Sequence, residues 1–315
     1  MPARRLLTAL VMGALAALIL MSLFAAPAAG LILLNIAWTP LILAALTAGL
    51  TGGLVAGATA MGVGYVAGGV LVAVLILVSM ALPALFVAWL ALGRRTMPGG
   101  TVIWRDASSA AVWLAWGGVA IIGAAGLMTL GTPDGLRGFL RLAFTVNAET
   151  AWRMMPMGTG SMTQVVDLML WFAPGMAIAF LTVGLVMNAA LAQGLAMRFG
   201  TNLRPPMRLA ELDLPEWMAL ALGIALFAAV ASPSLVGWYG WHVAMVLAGV
   251  YLLAGLSVVH AATRGRAGRG VTLGLLYATL VLFWPAAILV VVLGVIETWA
   301  RLKRRFGSPG RTLED

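Results

Sequence analysis

The sequence predicts an all-α fold, a polytopic transmembrane helical bundle of about eight spans followed by a proline-broken helical hairpin near the C-terminus. Hydrophobic residues make up 63% of the chain and charged residues 9%, and the mean hydropathy is +1.05. Soluble domains carry roughly 25% charged residues, so much of the apolar surface of this chain has to face lipid. The apolar residues also form separate runs of about 20, the length that crosses a bilayer as a helix.

The composition excludes several function classes and defines the expected surroundings. The net charge is +9, but the arginines lie in short segments between apolar runs, which is typical of membrane orientation signals and not of nucleic-acid binding. The chain has no cysteine, which excludes disulfides, thiolate metal sites and cysteine nucleophiles. We therefore expect the lipid bilayer, and no nucleic acid, as a partner.

The first span is expected from Leu6 to Phe24. Arg4 and Arg5 precede it and place the N-terminus in the cytoplasm, with the protein in an inner membrane. A cleaved signal peptide is the alternative, but the apolar run is longer than such peptides carry. One face of this span holds the small residues Ala9, Gly13 and Ala17. We expect that face to meet another helix or to dock a membrane-protein partner.

The next apolar region predicts three spans with a packing seam. The spans are expected at 31–50, 52–69 and 71–92. Small residues recur at helical spacing along this region, at Gly49, Gly53, Gly57, Gly64 and Gly68. A helical face with almost no side chain lets the backbone of a neighbouring helix approach closely, which is the usual interface between membrane helices.

Four later spans are expected at 108–130, 165–191, 215–231 and 241–262. Between the first two of these, residues 131–164 are expected to form an amphipathic segment on the outer membrane surface, and a lid over a cavity is the alternative. Thr132-Pro133-Asp134 predicts the start of its helix, with Thr132 as the cap and proline in the first turn.

The last apolar segment, from Val271 to Trp299, has basic clusters at both ends. A single crossing would leave Arg301 and the lysine and arginines after it outside, which the positive-inside rule disfavours. A hairpin turning at Phe283-Trp284-Pro285 keeps both clusters inside, although each arm is then short for a full crossing. We expect the hairpin, a single membrane domain over residues 1–305 and a disordered cytoplasmic tail over 306–315.

No motif predicts catalysis or a bound metal or cofactor. The methionines of the outer segment are soft Cu(I) ligands, but no histidine or cysteine accompanies them, and methionine is a common apolar filler. They are Met154, Met155, Met157 and Met162. Gly158-Thr159-Gly160-Ser161 superficially resembles an intramembrane serine-protease motif, but it lies in a polar region and not at a helix start facing a buried histidine. We expect a protein that is not an enzyme.

Polar residues at membrane depth are the candidate site residues. Asn35, Trp38, Thr39 and Asn188 either hydrogen-bond between helices or face a cavity that holds a small solute beside the kink at Pro40.

The two histidines of the chain have different surroundings in the sequence. His260 and Glu297 form a possible polar pair at the cytoplasmic ends of neighbouring helices, acting as an ion pair or as a proton relay. His242 lies among aromatic residues at the outer interface and is interpreted as a structural, partly hydrated histidine.

The order of several short motifs resembles a known family. The motifs are Leu214-Pro215-Glu216-Trp217, Gly255-Leu256-Ser257-Val258-Val259-His260 and Leu293-Gly294-Val295-Ile296-Glu297-Thr298-Trp299. They resemble the YybS-like membrane proteins, a domain of unknown function, with Glu297 where aspartate is expected. The N-terminal half is similar, more loosely, to substrate-binding S components of energy-coupling-factor vitamin transporters, and this likeness implies that Ala9, Gly13 and Ala17 dock an energising subunit.

Two functional hypotheses follow. The first is a non-enzymatic membrane protein that binds a small solute in the manner of a transporter subunit. The second is a structural or assembly protein whose small-residue seams dock other membrane proteins and whose basic loops meet anionic lipid or a cytoplasmic partner. A polar pocket bounded by Asn35, Trp38 and Asn188 would favour the first, and a closed interior with an exposed small-residue groove would favour the second.

Overall fold

The computed structural model describes residues 2–154 and 162–306 and consists almost entirely of helices in that part of the chain. The elements are α1 (Ala3–Ala25), α2 (Pro27–Leu34), α3 (Thr39–Ile76), a π-helical turn (Leu77–Ala81), α4 (Leu82–Leu92), β1 (Arg94–Thr96), β2 (Val102–Trp104), α5 (Ala107–Met128), α6 (Gly135–Met154), α7 (Met162–Arg198), a 3-10 turn (Leu209–Glu211), α8 (Glu216–Ala231), α9 (Leu235–Ala262), α10 (Arg269–Leu282), α11 (Ala286–Ala300) and α12 (Leu302–Phe306). Among the described residues, five helical segments are long and apolar enough to cross a membrane: Ala3–Ala25, Pro27–Leu92, Ala107–Met128, Met162–Arg198 and Leu235–Ala262. The predicted helical membrane bundle is confirmed.

The chain divides into two compact units. The first unit comprises Met1–Ala110 and Val183–Arg208, and the second comprises Ala111–Thr182 and Leu209–Asp315. The division falls within α5 and α7, so each of these helices contributes to both units. The prediction that residues 1–305 form a single membrane domain stays a prediction.

In the first unit, glycines break α3 into pieces that fold back on one another. Gly49 and Gly69 have φ angles of +81° and +73°, which side chains with a Cβ rarely adopt. A Cβ placed at Gly53 would lie 2.9 Å from the Cβ of Ala45, whereas eight residues of straight helix span roughly 12 Å. A Cβ at Gly57 would likewise lie 3.3 Å from the Cβ of Ala81 in the π-helical turn.

These breaks lie where the second and third spans were expected to end. Gly49 stands at the first break, and Gly68, with φ −150°, stands directly before Gly69 at the second. Gly53, Gly57 and Gly64 are buried between the packed pieces, Gly64 against Ile76. The glycines of the predicted seam therefore divide into two that turn the chain and three that bring helices together. How many times residues 27–92 cross the bilayer stays a prediction.

Helix α1 packs against α3 through the small-residue face noted in the sequence. Ala9, Gly13 and Ala17 are all buried. A Cβ at Gly13 would overlap the carbonyl oxygen of Ala56 and would lie 2.8 Å from the Cβ of Thr59. Helix α3 of the same chain therefore covers the small-residue face of α1.

In the second unit, α9 is the central helix and α11 crosses it where two glycines meet. A Cβ at Gly255 would overlap the carbonyl oxygen of Val290, and one at Gly294 would overlap that of Tyr251. Helices α10 and α11 are separated at residues 283–285, where Phe283 has a non-helical φ of −134°. The predicted break of the C-terminal segment is confirmed.

Helix α6 begins later than the sequence predicts. Thr132 was expected to cap it, but the Thr132 hydroxyl donates to the carbonyl oxygens of Thr129 (2.7 Å) and Gly135 (3.0 Å). Asp134 takes a left-handed φ of 59°, so the helix starts at Gly135. The predicted cap is wrong because the threonine closes the preceding turn. Met155, Met157, the segment Gly158 to Ser161 and the tail from residue 307 lie outside the described residues.

We expect Gly13→Leu to lower the free energy of unfolding by about 1–3 kcal/mol, because the new side chain has to displace the backbone of α3. Denaturant unfolding of the detergent-solubilised protein, followed by tryptophan fluorescence, measures the change. Gly62→Leu is the matched control, since Gly62 lies on α3 and a Cβ there meets no atom within 4 Å. Equal unfolding free energies for the two variants would contradict the close approach of α1 to α3.

Candidate functional site

The candidate polar residues meet at the break between α2 and α3. The chain leaves α2 at Asn35 and begins α3 at Thr39, with Pro40 in its first turn. The carboxamide oxygen of Asn188, from α7, accepts hydrogen bonds from the Thr39 amide (2.9 Å) and the Thr39 hydroxyl (2.7 Å). The Asn188 amide nitrogen donates to the carbonyl oxygens of Asn35 (2.8 Å) and Gly184 (2.8 Å). One side chain therefore satisfies backbone groups on both sides of the break.

This arrangement uses the whole hydrogen-bonding capacity of the Asn188 side chain. A primary amide has two acceptor lone pairs and two N–H donors, and all four have partners within the chain. Asn188 is 2% exposed and Thr39 is 6% exposed. The geometry is that of a buried interhelical joint, and it leaves this amide no free group with which to hold a solute.

The two remaining members of the predicted set also bond to the chain. Trp38 donates from Nε1 to the carbonyl oxygen of Ser79 (2.9 Å), and its ring lies against Gly184, where a Cβ would be 3.2 Å from Cζ3. The side chain of Asn35 is exposed and donates to the carbonyl oxygen of Leu31 in its own helix (2.9 Å). Asn35 thus contributes its backbone carbonyl to the joint, and its side chain lies outside it.

We expect Asn188→Leu to lower the free energy of unfolding by about 1–3 kcal/mol, because it leaves the buried Thr39 hydroxyl and the Asn35 carbonyl without this partner. Asn35→Leu is the matched control and should change it by less than about 0.5 kcal/mol, since it keeps the Asn35 carbonyl. Chemical denaturation in detergent measures both. A larger loss for Asn35→Leu than for Asn188→Leu would overturn this account of the joint.

A second polar joint, in the second unit, was missed by the sequence analysis. Pro174 lies inside α7 and has no N–H, so the carbonyl oxygen of Leu170 lacks its usual helical donor. Trp238 of α9 donates from Nε1 to that oxygen (3.1 Å). One turn further along α9, the Nδ1 atom of His242 accepts from the backbone N–H of Gly175 (3.1 Å). Trp238 and His242, four residues apart on α9, therefore supply hydrogen-bond partners for the backbone groups around Pro174.

His242 is fully buried, at 0% exposed, and packs edge-on against the Trp238 ring at 4.2 Å between centroids. The expected partial hydration of His242 is wrong, because the ring is enclosed between α7 and α9, where it has the structural role that was expected. A proline within the predicted span 165–191 was the available sequence signal. Nothing in the sequence indicated which residues would lie opposite it.

We expect Trp238→Phe to destabilise the protein by about 1 kcal/mol, because it removes the donor to Leu170. In a Pro174→Ala background the same change should cost less than half as much, since residue 174 then has its own N–H. A double-mutant cycle on unfolding free energies tests this. An equal cost of Trp238→Phe in both backgrounds would show that the indole is not compensating for the proline.

His260 and Glu297 have different partners. His260 Nε2 lies 2.9 Å from the hydroxyl of Tyr277. Glu297 is 4% exposed, and its carboxylate accepts from the backbone N–H of Lys303 (3.3 Å) and lies 3.8 Å from Lys303 Nζ. Arg301, with a left-handed φ of 46°, turns the chain so that Lys303 comes back over the end of α11. The Glu297 carboxylate thereby holds the following residues against the C-terminal end of α11.

The C-terminal end of α11 also contacts the segment that leads into α8. Lys303 Nζ also donates to the carbonyl oxygen of Leu212, and the Ser257 hydroxyl of α9 lies 3.5 Å from that oxygen. The C-terminal ends of α9 and α11 therefore lie together. Such a placement is what a hairpin made by α10 and α11 produces.

The fold and these joints define a helical integral membrane protein whose membrane-depth polar side chains bond to its own backbone. The chain belongs to the family described as Predicted membrane protein (DUF2232), whose model matches residues 14–298. No curated protein and no solved structure matches the chain.

Proposed function

We propose that this protein is a non-enzymatic membrane protein that docks another membrane protein, with helix α10 as the docking surface. The observation that carries the proposal is that α10 has no buried residue. Its small residues Gly270, Gly274 and Ala278 are spaced four apart and are all exposed. A Cβ at Gly270 or Gly274 would meet no atom within 4 Å.

The adjoining side of α10 packs against other residues of the second unit. Leu273, Leu276 and Tyr277 are half-buried, and Tyr277 contacts His260. Because these residues follow helical spacing, the helix has one side held by the chain and one side free. We call the free side, formed by Gly270, Gly274 and Ala278, the α10 small face. It differs from the small face of α1, which α3 covers.

The occupant we propose is a transmembrane helix of another membrane protein. No charged residue lies between Gly270 and Leu282, so the surface is compatible with an apolar helix. A bare helical face gains little from contact with lipid tails but lets a second helix backbone approach closely. Val281 and Leu282, 82% and 86% exposed, extend the apolar surface beyond the small face.

Solute binding has less support from the geometry. A solute held by Asn35, Trp38, Thr39 and Asn188 would need free polar groups, and the Asn188 amide has none. The likeness to S components points to transport, but the α1 face on which that likeness rests is packed against α3. The docking proposal includes an inner-membrane location with a cytoplasmic N-terminus, which Arg4 and Arg5 favour.

The docking proposal predicts an interaction that depends on Gly274. A photo-crosslinking amino acid at position 275, beside the small face, should give an adduct with a second membrane protein in native membranes. Gly274→Leu should lower the adduct yield about tenfold, since the new side chain blocks close helix approach. Mass spectrometry and immunoblotting of the adduct provide the measurement.

Gly223→Leu is the matched control, because Gly223 is exposed on α8 and a Cβ there meets no atom within 4 Å. It should leave the adduct yield unchanged. An adduct insensitive to Gly274→Leu, or no adduct, contradicts docking at this face. An adduct formed only with a second copy of the chain contradicts the proposed occupant.

A further inference from the structure

Helix α10 has a break in the helical backbone at each end. Gly268, directly before the helix, has a left-handed φ of +83°, and Phe283, directly after it, has a non-helical φ of −134°. A Cβ at Gly268 would meet no atom within 4 Å, so the turn before the helix is open. Helix α10 is thus a separate helix, and contacts along its length have to fix its orientation.

The apolar contacts of α10 fix that orientation only weakly. None of its residues is buried, and Leu273, Leu276 and Leu280 are half-buried. Apolar burial is non-directional, and a leucine gains little when it leaves lipid tails for the surface of another helix. A rotation of α10 about its own axis is therefore opposed very little by these leucines.

Tyr277 makes a contact of a different kind, because it is directional. Its hydroxyl lies 2.9 Å from His260 Nε2, and the two rings meet edge-on with their centres 6.1 Å apart. A hydrogen bond requires a narrow range of distances and angles. In the described part of the chain, this is the one hydrogen bond that a side chain of α10 makes to another helix. The Thr272 hydroxyl donates to the Gly268 carbonyl at the start of α10 itself (3.3 Å).

The position of Tyr277 on α10 links this bond to the α10 small face. Tyr277 follows Gly274 by three residues and Gly270 by seven, so it lies beside both on the surface of the helix. Its partner His260 lies on α9, whose residues are largely buried, so the bond has a firm anchor. Fixing Tyr277 therefore fixes the direction in which the neighbouring small face points.

We propose that His260 and Tyr277 are positioning residues of the docking site, and that their hydrogen bond holds α10 in the rotation that presents the α10 small face to a partner helix. This inference rests on the docking function proposed above. Loss of the bond frees α10 from α9 and leaves the rest of the second unit folded.

Hydrogen–deuterium exchange of the full-length, detergent-solubilised protein, measured by mass spectrometry without a partner, tests the attachment. Tyr277→Phe keeps the ring and removes the hydroxyl, and we expect the amides of residues 270–282 to exchange about fivefold faster. The amides of residues 241–256 in α9 should exchange at the parent rate. Thr279→Val is the matched control, because it removes an exposed hydroxyl from the same helix, and it should change neither rate.

A double-mutant cycle assigns the effect to the bond between the two side chains. His260→Leu should also make α10 exchange about fivefold faster, and the double variant should show the same factor, because either change removes the same bond. A factor of about twenty-five in the double variant would mean independent contributions and would overturn the proposal. Unchanged α10 exchange in Tyr277→Phe, or equally faster exchange in α9, would also overturn it.

The photo-crosslinking assay at position 275 separates this inference from the docking proposal. In native membranes, Tyr277→Phe should lower the adduct yield about threefold, since α10 no longer keeps one orientation. Thr279→Val should keep the parent yield. An adduct that forms equally well in Tyr277→Phe overturns the positioning role and leaves docking intact. If the parent protein gives no adduct, docking fails and the positioning role fails with it.

Discussion

Inside a bilayer, every backbone N–H and carbonyl has to find its partner within the protein, and this constraint explains the polar residues of the chain. At two interruptions of the helices, side chains from another helix complete the broken hydrogen-bond pattern. Asn188 does so between α2 and α3, and Trp238 and His242 do so around Pro174. Asn188 looks like a ligand-binding group in the sequence, but its partners are backbone atoms and the Thr39 hydroxyl of its own chain.

Glycine has two separate roles in this architecture. At Gly49 and Gly69 it permits backbone angles that turn the chain without a connecting loop. At Gly13, Gly255 and Gly294 it permits one helix backbone to touch another. The same spacing pattern in the sequence covers both roles, and only the backbone conformation distinguishes them.

The fold class and most element boundaries could be predicted, because apolar runs of span length and breaks at glycine and proline are local signals. The break at Phe283–Pro285 is an example. Contacts between distant residues could not be predicted. The hydrogen bonds of His260 to Tyr277 and of Glu297 to Lys303 are examples. They could not be predicted because the sequence does not show which helix faces meet. Arg204 is buried, and its side chain donates to the carbonyl oxygens of its neighbour Pro205 and of the distant residues Ala91 and Arg105.

The uncharged stretch that contains the glycine turns has a consequence for biosynthesis. No arginine, lysine, aspartate or glutamate occurs between Arg5 and Arg94. Charges that would hold a turn at the membrane surface are therefore missing at Gly49 and Gly69, and only the two ends of the stretch carry orientation signals. The basic residues at the two ends, Arg4 and Arg5 before the stretch and Arg94 and Arg95 after it, therefore have to orient all of its pieces, because none of the pieces carries a basic residue of its own.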